Sequence, residues 1–129
     1  MSTGRVLLLD SDPASSALIS RGFSVLGVEL KSVGAVSTGA SVLHRRTPDL
    51  IIVTDRCEGR SGLDAVRAMH ALAPDVPMVF APTFSAPRTQ RRAIELGAAA
   101  VVDQPCELAE LLSVSSQWLA NDTVGAHAS

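Results

Sequence analysis

The stretch PDLIIVTD, Pro48 to Asp55, joins a turn signal to four apolar residues and a polar end. Leu50 to Val53 shows no alternation of apolar and polar positions, which fits a strand covered on both faces. A helical stripe follows at Leu63, Val66, Met69 and Leu72. Upstream, Val6 to Leu9 is a second continuous apolar run. Asp10 to Pro13 ends it, and Pro13 can open a helix at its first turn. Downstream, Met78 to Ala81 repeats the strand signal.

The remaining elements fill the gaps between these runs. Ala14, Leu18, Phe23 and Leu26 are spaced loosely as a helix, and Glu29 to Val33 reads as a strand. Ser41 to Arg46 predicts a short helix starting near Thr38. Arg88 to Leu96 predicts a polar helix with Ala93 and Leu96 facing inward, stopped by Gly97. Val101-Val102 is the last strand. Glu107 to Ala120 is the last helix, with Leu108, Leu111, Leu112 and Leu119 on its buried side. A β-α order with short crossovers imposes a parallel sheet with helices on both faces. Chemistry in such a sheet sits outside the carboxyl ends of the strands.

Composition sets the wider bounds. The chain has 129 residues, 47% hydrophobic and 3% aromatic, with a net charge of -2. That length suits one domain, taken as residues 1–121, with 122–129 as a flexible tail or the start of a linker. The charge balance gives no support to direct nucleic-acid binding. No apolar run reaches the roughly 18 residues needed to span a bilayer, and MSTGR is not laid out as a signal peptide. Two cysteines are too few for a disulfide framework, so a cytoplasmic setting is expected.

At the strand ends, Asp10 and Asp12 flank Ser11, and Asp55 follows Thr54. Asp10, Asp12 and Asp55 form a candidate Mg2+ set, because that ion takes carboxylate and water oxygens. The plainer role for Asp12 is to cap the next helix. Cys57 and Cys106 fall in loops at the same edge, without the spacing of a redox pair. His44, His70 and His127 lie far apart and suggest no metal site.

The segments LLLDSDP (Leu7 to Pro13), PDLIIVTD, SGLDAV (Ser61 to Val66), DVPMVFAP (Asp75 to Pro82) and GAAAVVDQP (Gly97 to Pro105) occur in a telling order. Together they resemble the CheY-like receiver domains of two-component response regulators, from Arg5 to about Ala120. The resemblance implies a doubly wound, flavodoxin-like three-layer fold with strand order 2-1-3-4-5. It implies aspartyl phosphorylation by a histidine kinase, aided by Mg2+, a Thr or Ser, and a Lys. The match at those positions is partial. Asp10 falls on the first acidic position, and Ser11 on the second. Thr54 falls on the phosphoacceptor position, Pro82 on the Thr/Ser position with Thr83 just beyond, and Gln104 on the lysine position.

A threonine hydroxyl is a much weaker nucleophile at neutral pH than a carboxylate unless a base activates it. A missing lysine removes a cation from the developing phosphoryl charge. Asp55, next along the strand, is expected to aim away from Asp10 unless the strand has ended at Thr54. The expected site is a polar plug, with Asp10 held by Ser11, Thr54 or Gln104. The expected function is a phosphorylation-independent protein-interaction or dimerisation module in bacterial signalling, with no enzymatic activity and no cofactor. The alternative is an active receiver that accepts phosphate on Asp55 with Mg2+. A protein partner, an output domain or a second copy is expected on Arg88, Arg91, Arg92, Val114 and Trp118. A solvated face is the plainer reading of Arg88, Arg91 and Arg92, and core packing is the equal rival for Val114 and Trp118.

Overall fold

The computed structural model describes residues 4–83, 85–103 and 108–128. Five strands, β1 (Arg5–Leu9), β2 (Glu29–Val33), β3 (Leu50–Thr54), β4 (Met78–Ala81) and β5 (Ala100–Val101), alternate with five helices. The helices are α1 (Pro13–Val25), α2 (Val36–Arg45), α3 (Gly62–Leu72), α4 (Pro87–Glu95) and α5 (Leu108–Ala128). The sheet is parallel with order β2-β1-β3-β4-β5. This is the doubly wound, flavodoxin-like fold and strand order that the receiver resemblance implies.

Alternation divides the core between the two faces. Leu7, Leu9, Ile51, Val53, Met78 and Phe80 point to the side covered by α3, where Ala65, Val66 and Met69 are fully buried. Val6, Leu8, Leu50, Ile52 and Val79 face Ile19 and Phe23 of α1 and Leu111 of α5. Burying one such side chain contributes roughly 1.5–3 kcal/mol. The strands therefore read as unbroken apolar runs because both faces are covered.

Several boundaries and faces differ from the expectation. In α1, Ile19 and Phe23 form the buried i,i+4 pair, whereas Leu18 and Leu26 are exposed. In α3, Leu72 at the last turn is exposed as well. Helix α2 starts at Val36, earlier than Thr38, because Val36 and Gly39 are buried on the stripe that continues to Val42 and Leu43. Strand β5 is Ala100–Val101, one residue earlier than expected. Helix α5 runs to Ala128, beyond the expected helix end at Ala120. It contains no proline, and a single glycine such as Gly125 costs a helix only about 1 kcal/mol.

Gly97 follows α4 at φ +125, a conformation that side chains rarely adopt. A Cβ there would stand 2.4 Å from Cγ of His70. The turn after α4 thus packs glycine backbone directly on an α3 side chain.

Candidate functional site

The carboxyl edge of the sheet gathers Asp10, Asp12, Thr54, Asp55, Arg56 and Thr83. Asp10 follows β1 and is 3% exposed. A carboxylate buried to that degree needs charge and hydrogen bonds to offset its lost hydration. It has both. Its Oδ1 accepts from the Asp12 N–H at 3.0 Å and from Arg56 Nε at 3.1 Å, and its Oδ2 accepts from Arg56 Nη2 at 3.2 Å. The paired guanidinium contacts form a fork, the strong geometry for an arginine–carboxylate pair.

Arg56 also reaches the rest of the pocket. Its Nη2 donates to Ser15 Oγ at 2.7 Å, and its Nη1 donates to Thr83 Oγ1 at 2.9 Å. The same Nη1 lies 3.5 Å from Asp55 Oδ1. Burial alone would lower the Arg56 pKa. The hydrogen bond and charge of Asp10, with the charges of Asp55 and Asp12, more than offset this and raise it above its ordinary value. Arg56 is therefore a permanent cation between two acids.

Asp55 accepts from the Thr83 N–H at 2.8 Å and from the Thr83 hydroxyl at 3.0 Å. Strand β3 ends at Thr54, which frees Asp55 from strand alternation. Its carboxylate consequently shares the Arg56 guanidinium with Asp10 instead of aiming away. Thr54 is fully buried, and its hydroxyl donates to the Leu9 carbonyl at 2.8 Å while accepting from the Arg56 N–H at 3.3 Å.

The expectation for Asp10 needs correction. Its described partners are Arg56 and the Asp12 N–H, not the side chains of Ser11 or Thr54. Ser11 is exposed and contributes its backbone, donating to the Arg56 carbonyl. Asp12 caps α1, accepting from the Ser15 N–H at 3.0 Å. Pro82 is buried beside Thr83. Gln104 and Cys106 lie outside the described residues. Among the described residues, no group of three acidic, histidine or cysteine side chains is arranged to hold a metal ion.

Cys57 lies under this pocket. Its thiol is 3.5 Å from the Thr54 carbonyl, and its pKa is pushed up to about 11. Burial is the main cause, followed by the charges of Asp10 and Asp55, with Arg56 opposing them. A thiol held in its neutral form is a poor nucleophile.

The other predicted residues stand apart from the pocket. Arg88, Arg91 and Arg92 are exposed on α4, and Arg92 pairs with Glu95 at 3.2 Å. Val114 and Trp118 are half-buried against the α1 side of the core. No helix among the described residues is long and apolar enough to cross a membrane.

A doubly wound sheet with an acid and hydroxyl pocket at its carboxyl edge defines the receiver class. The chain belongs to the response regulator receiver domain family, whose model matches residues 6–115. It is 32% identical over 97 residues to the regulatory protein LuxO of Vibrio vulnificus, covering 74% of this chain and 21% of that protein. It is 28% identical over 123 residues to the transcriptional regulator NtrC of Azospirillum brasilense, covering 95% of this chain and 26% of that one. The chain thus spans about a fifth to a quarter of these relatives. A CheY-like receiver domain from Methanospirillum hungatei superposes with a TM-score of 0.83 at 16% identity, covering 95% of this chain and 98% of that one. The chain is therefore a receiver domain of two-component signalling.

Proposed function

We propose that this receiver works without aspartyl phosphorylation, as a protein-interaction or dimerisation module. One observation carries the reading: the Arg56 guanidinium bridges Asp10 and Asp55, the acids a divalent cation would need. A fixed cation neutralises those acids and removes the repulsion that a metal would otherwise relieve. The hydroxyl at the tip of β3 is also committed, since Thr54 donates to the Leu9 carbonyl.

A second reading has its own observation. Asp55 is an exposed-edge carboxylate that already touches a hydroxyl, Thr83, at 3.0 Å. An active receiver would use Asp55 as acceptor, once Arg56 had swung aside for Mg2+.

Acetyl phosphate with Mg2+, followed by intact mass, separates the two. The module reading expects no mass change. A gain of one phosphoryl group that disappears in D55N would overturn it. Association in solution, wild type against W118A, tests the module itself. Loss of self-association or of partner binding in W118A places the interface on α5, and unchanged assembly removes Trp118 from it.

A further inference from the structure

At the opposite, amino edge of the sheet a cavity of about 200 Å3 opens between the start of β1 and β2 and the last turn of α2. Strand pairing explains what lines it. Arg5 stands opposite Glu29 and Leu7 opposite Lys31, and alternation puts these four on one sheet face. In a doubly wound sheet that face is ordinarily apolar and covered. Here β2 reads ELKSV, with three of its five residues exposed. Arg45 and Arg46 close the cavity from the end of α2.

The charge is strongly one-sided. Arg5, Lys31, Arg45 and Arg46 line it with one acid, Glu29, and the nearby Asp49 carboxylate accepts from the Arg5 N–H at 2.8 Å, in a chain whose net charge is -2. Glu29 lies 3.9 Å from Arg5 Nε, beyond hydrogen-bond reach, and that buried Nε–H has no acceptor. Lys31, Arg45 and Arg46 make no ion pair among the described residues. Arg45 gains something from the helix C-terminus, where cations are favoured. Lys31, on a strand, does not.

We propose that this cavity binds a small phosphomonoester. The guanidinium groups of Arg5, Arg45 and Arg46 with the ammonium of Lys31 suit a dianionic phosphate. The floor, with Val42 and Pro48, would carry a compact apolar group. At about 200 Å3 the space falls below the range of sites for drug-sized ligands, roughly 300–1,000 Å3. The proposal does not depend on how the acceptor edge works, because the two sites lie at opposite ends of the strands.

Calorimetric titration of the whole chain with phenyl phosphate tests it. Saturable binding is expected with Kd at or below about 1 mM, weakening as salt is raised. K31A/R46A is expected to weaken binding by roughly tenfold or more, a change of one decade in Kd, with an unchanged thermal midpoint. R67A removes an exposed charge on α3, away from this cavity, and serves as the control expected to bind as wild type does. Benzoate, which carries one charge on the same ring, is expected to bind at least about tenfold more weakly. The proposal is overturned if phenyl phosphate shows no saturable binding, or binds K31A/R46A as tightly as wild type. Loss of binding in R67A, or equal affinity for benzoate, overturns it as well.

Discussion

Arg56 meets Asp10 through a two-point fork, Nε to Oδ1 at 3.1 Å and Nη2 to Oδ2 at 3.2 Å, with the acid side chain wholly shielded from solvent. Removing one partner of such a pair strands the other charge. R56A is expected to lose about 2–4 kcal/mol of stability in urea unfolding at neutral pH. Removing both charges in D10N/R56M should bring stability back to within about 1 kcal/mol of wild type. An R56A curve that overlays wild type would show that the guanidinium does not hold Asp10.

Thr54 occupies a different niche, a buried hydroxyl bonded to the Leu9 carbonyl and to the Arg56 N–H. T54V keeps the shape and removes the hydroxyl. The unmet carbonyl and N–H are expected to cost about 1–2 kcal/mol. The β1–β3 edge should also exchange its amide hydrogens faster. A T54V protein as stable as wild type would mean that the hydroxyl bond contributes nothing.

Cys57 gives a pH signature. Its pKa in the fold is about 11, raised from 9.0, so folding favours the protonated thiol. Between those values the unfolded chain has lost the proton while the folded chain keeps it. Stability from this group is complete below pH 9 and falls as pH rises toward 11, by roughly 2–3 kcal/mol in total. The slope belongs to the thiol, so C57A should lack it. Parallel stability curves for wild type and C57A across this window would refute the assignment.

Gly97 tests the contact between α3 and the turn after α4. G97A places a methyl group against the His70 ring and forces alanine to φ +125. The expected cost is about 2–4 kcal/mol in thermal or urea unfolding. H70A/G97A should recover only the part due to the His70 ring, since Cβ of residue 70 still stands 2.9 Å from the new methyl and the backbone strain remains. Full recovery would show that φ carries no strain.

The fold was legible because its signals are local and repeated. Leu50 to Val53 and Val6 to Leu9 are too uniformly apolar for half-exposed strands, and the helices between them fix a parallel order. The inward face of α1 was harder, because Leu18 and Ile19 are adjacent and equally apolar. Only packing against the sheet selects Ile19 with Phe23. The start of α2 was hidden by its Ser, Thr and Gly content, which weakens any helix signal.

The acids of the pocket could be read from the sequence, and their cation could not. Arg56 lies three residues past the apolar run, where nothing in the pattern says which way a long side chain turns. A charge balance would have found it. Asp10 sits at the end of a fully buried strand, and Gln104 offers no positive charge. The remaining strand-end cation is Arg56. Thr83 and Asp55 were noted separately. Their bond follows from the pairing of Thr54 with Ala81, which brings the ends of β3 and β4 together.

A counterion built into the backbone sequence behaves unlike one drawn from solution. Arg56 is tethered a few ångströms from the charges it balances, so its local supply never varies with the ionic makeup of the medium. Chelators cannot strip it away, and dilution cannot unload it. On the proposed reading, the carboxyl edge holds the same shape whether divalent ions are scarce or abundant, and signals written in metal availability pass this domain unread.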